Sequence, residues 1–225
     1  MSTASTRGVV VTGGTGYMGG ALITQLLSRG HRVTALTRAA SRARVPAGAG
    51  VVEGSALEAG DVARALTPGC VAVLLVGTPH PNPSKAREFQ AVDLASARAA
   101  AAAVATVPAA HVVYVSVAHP APLMRAYVEA RQQAEGLLER TGLPCTFLRP
   151  WYVLGPGHRW PHALVPIYWM LERLPRTRDT ARRLGLVTLD AMVAALVQAV
   201  ESPPPATPRV IDVPAIRAAG ADVRR

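Results

Sequence analysis

Gly13, Gly16 and Gly19 stand three apart in Val9-Val10-Val11-Thr12-Gly13-Gly14-Thr15-Gly16-Tyr17-Met18-Gly19, directly after an apolar run. That spacing suits a diphosphate. A buried strand ends in a tight turn, glycines remove the side chains that would block the anion, and a helix N-terminus turns its free amides towards it. The next segment, Tyr17 to Arg29, has a helical pattern and stops at Gly30, where a helix-ending glycine belongs. Strand, loop and helix together predict a dinucleotide site built from Gly13, Thr15, Gly16, Tyr17, Met18 and Gly19. The alternative is a glycine-rich turn with a structural role only. Where NAD-selective sites end their second strand in an acid, this chain has Thr37-Arg38. A carboxylate would repel a ribose 2′-phosphate, whereas a guanidinium can grip it bidentately. Arg38 thus predicts NADP(H) over NAD(H), unless it is one surface arginine among many. Arg42 and Arg44 read as residues of a solvated loop.

The elements that must hold these residues alternate along the chain. Strands are expected at Val9–Thr12, Arg32–Leu36, Val51–Glu53, Val71–Val76, Val112–Val117 and Cys145–Leu148. Helices are expected at Tyr17–Arg29, Asp61–Leu66, Val92–Thr106 (stopped by Pro108) and Leu123–Thr141 (closed by Gly142). Continuous apolar strands separated by helices need cover on both faces, which predicts an α/β, Rossmann-type, doubly wound parallel sheet. Beyond Pro150 the texture changes: all three tryptophans and a dense arginine cluster fall between Trp151 and Leu184. A helix at Leu189–Glu201 and a strand at Arg209–Val213 follow, with Pro203-Pro204-Pro205 as a turn or linker. Ligands of such sheets bind at the carboxyl ends of the strands. The chain therefore reads as a single NAD(P)-binding domain over 1–225, with 151–188 forming the wall and lid of a substrate pocket.

The bulk properties narrow the function classes. At 225 residues the chain suits one domain with a substantial core. No apolar run reaches the roughly 18 residues of a membrane span, and the first residues lack a signal-peptide pattern, so a cytoplasmic location is expected. Cys70 and Cys145 sit in apparent core segments and suit buried, reduced thiols. The formal charge is +10, and of 24 basic residues only Lys85 is a lysine. Without zinc-finger spacing, RNA-binding aromatics or a long basic run, nucleic acid is not the expected partner. The charge favours anionic ligands such as phosphorylated cofactors. No His/Cys/Asp cluster has metal-ligand spacing, so no metal is expected.

The chain resembles the short-chain dehydrogenase/reductase superfamily, in its atypical branch of NmrA-like and epimerase-like NAD(P)-binding proteins, over roughly residues 8 to 213. Its Thr12-to-Gly19 loop is similar to that branch's cofactor loop, and Val112-Val113-Tyr114-Val115-Ser116 to its fifth strand, which ends in the catalytic serine. Tyr127-Val128-Glu129-Ala130-Arg131 lies where the family carries Tyr-x-x-x-Lys, and Leu148-Arg149-Pro150-Trp151-Tyr152-Val153-Leu154-Gly155-Pro156-Gly157 resembles the segment packed beside nicotinamide. The resemblance implies that Tyr127 moves the carbonyl proton and Ser116 orients the substrate oxygen. Arg131 departs from the pattern. Four residues from Tyr127, it shares that residue's helix face and keeps the lysine's charge, but it cannot relay a proton. Plainer roles stand beside these: a packed ring for Tyr127, a solvated arginine for Arg131, and a backbone-bonded hydroxyl for Ser116. The fold also implies that Gly77 and Thr78 line the adenosine half of the cofactor, and Arg149 reads as an ion-pair or loop anchor.

Trp151, His158, Arg159 and Trp160 are the candidate substrate-pocket residues. The apolar stretch at 163–174 reads as a lid, a core helix or a partner surface. The leading expectation is an NADP(H)-dependent oxidoreductase acting on a small, largely apolar carbonyl or alcohol. Two other classes stay open: a non-catalytic dinucleotide-binding sensor or assembly protein, and a non-redox isomerase, dehydratase or cyclase. Helices of this fold often form dimer faces, which leaves a homodimer open.

Overall fold

The computed structural model describes residues 6–121, 124–154, 184–205 and 208–222. Seven strands form one sheet: β1 (Gly8–Thr12), β2 (Arg32–Thr37), β3 (Gly50–Glu53), β4 (Val71–Leu74), β5 (His111–Val115), β6 (Cys145–Leu148) and β9 (Arg209–Ile211). Their order is β3-β2-β1-β4-β5-β6-β9, and every pairing is parallel. A separate parallel pair joins β7 (Tyr152–Leu154) to β8 (Leu186–Thr188).

Alternate residues of each strand serve opposite faces, as the pleat requires. Val9, Val11, Val71, Val73 and Val113 meet α1 (Tyr17–Ser28), α6 (Leu189–Glu201) and α7 (Val213–Asp222). Val10, Ala72, Leu74, Val112 and Tyr114 meet α2 (Ala59–Ala65), α4 (Ala95–Thr106) and α5 (Arg125–Glu139). Cys70 and Cys145 are buried free thiols, and burial pushes the Cys145 thiol up to about 11. Strand order reverses on either side of β1, so the crevice beyond the carboxyl ends of β1 and β4 is the expected ligand position.

Several boundaries differ from expectation. The strand expected over Val71–Val76 ends at Leu74, and the Leu75 amide still bonds Thr12 O at 3.1 Å before the chain turns into the crevice wall. The strand expected over Val112–Val117 spans His111–Val115. The helix expected from Val92 is entered through α3 (Ala86–Glu88) and a π turn (Phe89–Leu94). Val213, expected in the last strand, opens α7 instead. Among the described residues no helix is long and apolar enough to cross a membrane. Residues 155–183 lie outside the described residues, and with them His158, Arg159, Trp160 and the 163–174 stretch.

Candidate dinucleotide site

The glycine loop is built as its spacing predicts. Gly13 has φ +76°, the left-handed region, and a Cβ there would come within 2.9 Å of the Leu75 carbonyl carbon. A Cβ on Gly19 would overlap Gly13 O and approach Gly14 Cα to 2.7 Å, so this glycine lets α1 pack against the turn. Gly16 differs: a Cβ there meets only Gly13 O at 3.4 Å, leaving room on its exposed side. Gly16 is the N-cap of α1 and supplies no side-chain cap, and the first turn holds no acid. The opening amides of a helix have no helical acceptor, so this terminus offers N–H groups and a positive dipole end to an anion.

A cavity of about 340 Å³ opens above this terminus. Gly13, Gly16, Tyr17, Met18, Gly19, Gly77, Thr78, Ser116, Tyr127, Arg131 and Trp151 all line it. The structure thus brings together nearly all the described residues singled out in the sequence. Thr15 and Arg38 are not in this lining. Arg38 is exposed just beyond β2, and among the described residues its guanidinium has neither an ion pair nor a hydrogen bond. Arg42 and Arg44 are exposed, as expected; Arg42 pairs with Glu53 at 2.7 Å at the surface, and Arg44 donates to Ser41 Oγ at 2.9 Å.

The three residues at the family's catalytic positions have distinct surroundings. Ser116 follows β5 and is 3 % exposed; its amide bonds Leu148 O at 2.7 Å, yet among the described residues its Oγ has no partner. A buried hydroxyl without a partner is uncommon, and Ser116 also lines the cavity. The Tyr127 ring lies 4.9 Å from Phe89 and 5.3 Å from the Arg131 Cζ. Arg131 is no solvated helix arginine. It is 5 % exposed; its Nη1 donates to Tyr114 Oη (3.1 Å) and to Val115 O (2.8 Å), and its Nη2 lies 2.6 Å from Asp93 Oδ1. Burial works against the charged guanidinium, but Tyr114, Tyr127 and Asp93 outweigh it and hold the pKa above the ordinary arginine value. Among the described residues its buried Nε–H has no acceptor. Burial likewise pushes the Tyr114 phenol up to about 12, despite the neighbouring guanidinium.

Asp93 was not singled out in the sequence. It sits in the π turn, and its Oδ2 accepts from the Thr78 amide (3.0 Å) and the Thr78 hydroxyl (2.5 Å). The signal for it was a lone acid in an alanine-rich helical run beside a motif needing a counter-charge. Tyr152 is a second omission: with Tyr17 and Tyr127 it gives the cavity three phenols, and Tyr17 is pushed above its usual range by desolvation, then by Tyr152 and Tyr127. Arg149 is the ion-pair anchor expected, bidentate to Glu135 across α5 and β6. Among the described residues no group of three or more His, Cys, Asp or Glu side chains could hold a metal.

These features fit a dinucleotide. The uncapped helix end and open Gly16 suit a pyrophosphate, and Ser116 and Tyr127 bring hydroxyl groups to the same cavity. A parallel doubly wound sheet with such a crevice defines a Rossmann-type nucleotide-binding protein. Residues 13–158 match the family described as NAD(P)H-binding, and the chain belongs to that family. No curated protein matches it in sequence. Among solved structures it is similar to the Bordetella bronchiseptica enzyme WbmG in complex with NAD, at 20 % identity and TM-score 0.65, covering 92 % of this chain and 73 % of that one. It is similar to MoeE5 in complex with UDP-glucose and NAD, at 20 % identity and TM-score 0.68, covering 96 % and 81 %. A short-chain dehydrogenase/reductase from Veillonella parvula covers 88 % of each chain at 17 % identity and TM-score 0.60. The fold is that of short-chain dehydrogenase/reductase proteins.

Proposed function

We propose that the chain is an NADP(H)-dependent oxidoreductase of the atypical, NmrA-like short-chain dehydrogenase/reductase kind, acting in the cytoplasm on a small, largely apolar carbonyl or alcohol. The observation that carries this reading is the convergence of the orphaned Ser116 hydroxyl and the Tyr127 phenol on one cavity with the uncapped end of α1. The first turn of α1 would hold the pyrophosphate, and the uncommitted Arg38 guanidinium would hold the 2′-phosphate. A bound reduced nicotinamide would supply hydride to the carbonyl carbon. Ser116 Oγ–H donates to the carbonyl oxygen and fixes its orientation. Tyr127 gives that oxygen its proton, and the Arg131 charge 5.3 Å from the ring favours the phenolate left behind. An arginine cannot pass a proton onward, so Tyr127 regains its proton by another route.

Incubation with NADPH and a panel of apolar aldehydes and ketones tests this. One equivalent of NADPH is consumed per product, and Tyr127→Phe lowers turnover by about 10²–10⁴-fold. Ser116→Ala lowers turnover while leaving stability unchanged, because no hydrogen bond is removed. A second reading, a non-catalytic dinucleotide-binding protein, draws on the commitment of Arg131 to Asp93 in place of a mobile lysine. It predicts cofactor affinity indifferent to Tyr127→Phe and no turnover with any substrate. Turnover without net NADPH consumption would instead mark a non-redox enzyme.

A further inference from the structure

Gly77 is a glycine without a backbone reason. Its φ is not in the left-handed region, which among the described glycines is taken by Gly13, Gly30, Gly48, Gly69 and Gly142. Its reason is steric. A Cβ on Gly77 would overlap Arg131 Nη2, lie 3.2 Å from Asp93 Oδ1 and lie 3.4 Å from Arg131 Cζ. The space beside this residue is filled by the ion pair.

Asp93 reaches that place through the π turn, whose wider winding gives its residues a different face from a continued α-helix. There its two oxygens divide their work. Oδ1 neutralises Arg131, while Oδ2 takes both the amide and the hydroxyl of Thr78. Arg131 in turn ties α5 to the end of β5 through Val115 O. Four segments around the cavity (the loop after β4, the π turn, the end of β5 and α5) are therefore joined through one buried carboxylate and one buried guanidinium. Both N–H groups of Nη1 are engaged by Tyr114 Oη and Val115 O, and Nη2 faces Asp93 Oδ1.

We propose that Gly77, Asp93 and Arg131 form one steric and electrostatic unit in which Gly77 and Asp93 are positioning residues. They seat the guanidinium in the cavity wall beside Tyr127, and they hold Thr78 in the same wall. A Cβ at position 77 would push the Arg131 guanidinium off its partners, so an arginine at the lysine position keeps this seat only while position 77 is glycine. The proposal rests on the dinucleotide reading for its ligand alone; the coupling among the three residues is a property of the protein.

A double-mutant cycle tests it, with NADPH affinity and urea unfolding midpoint measured on wild type, Gly77→Ala, Arg131→Lys and the double variant. Lysine lacks the atoms that a Cβ at 77 would strike, and its charge still faces Asp93. Gly77→Ala alone should weaken NADPH binding by about tenfold or more and lower the midpoint. In the Arg131→Lys background the same change should cost less than about threefold. Equal cost in both backgrounds, in affinity and midpoint alike, overturns the proposal. So does coupling confined to the midpoint in a wild type that binds NADPH, because the unit then positions nothing. A wild type that binds no NADPH defeats the functional reading instead, and coupling or additivity of the midpoints alone then decides for or against the unit.

Discussion

Replacing Asp93 by asparagine isolates a buried charge with the least change of shape. The Asp93 side chain is 0 % exposed and that of Arg131 6 %, so water screens neither. The substituted amide keeps an oxygen able to accept from Thr78, while the guanidinium loses its counter-ion. Breaking a buried pair by removing one partner costs about 3–5 kcal/mol, because the remaining charge stays desolvated. Domains of this kind are stable by about 5–15 kcal/mol, so the loss takes a large share of the total. At about 2–4 °C per kcal/mol for a chain of this size, the thermal midpoint should fall by about 6–20 °C. Circular dichroism during heating, with urea titration at 25 °C, measures both quantities. Adding Arg131→Met removes the stranded charge, and the double variant should regain at least half of the lost stability, since apolar substitutes for buried pairs are often near neutral. An Asp93→Asn loss below about 1 kcal/mol, or a double variant no more stable than the single, would refute a buried, unscreened pair.

Other perturbations separate fold from ligand binding. Gly19→Ala should destabilise by about 1–3 kcal/mol and abolish nucleotide binding, because its Cβ meets backbone. Gly16→Ala should cost less than about 1 kcal/mol yet weaken NADPH at least about tenfold, measured by unfolding and fluorescence titration respectively. His111 is held at about 4, first by burial, then by Arg209 and Arg7. The unfolded chain takes up that proton near 6.5, so stability from the neutral ring is full above pH 6.5 and is lost as pH falls towards 4. The loss amounts to roughly 3 kcal/mol, and His111→Gln should flatten the stability–pH curve over that window.

The sheet was legible because its central strands are unbroken apolar runs, each followed by a periodic helix. The glycine loop was legible for a different reason: Gly13 and Gly19 are demanded by backbone approach, which admits no other residue. The β7–β8 pair escaped notice because three residues carry no period, and α7 because its first residue, Val213, continues an apolar strand pattern. A π turn has no sequence signature, and with it went Asp93, whose partner lies 38 positions away on another helix. The local spacing of Tyr127 and Arg131 correctly put both on one face. It could not show that the guanidinium turns inward to Tyr114, Val115 and Asp93, since burial of a charge is decided by the elements packed around it.

Fluorescence titration of the wild type and Arg38→Ala with NADPH and NADH tests the cofactor assignment most directly. The wild type should bind NADPH more tightly than NADH, and Arg38→Ala should weaken NADPH by about tenfold or more while leaving NADH unchanged. Equal weakening of both nucleotides would contradict the role of Arg38, and absence of binding by either would contradict the oxidoreductase itself.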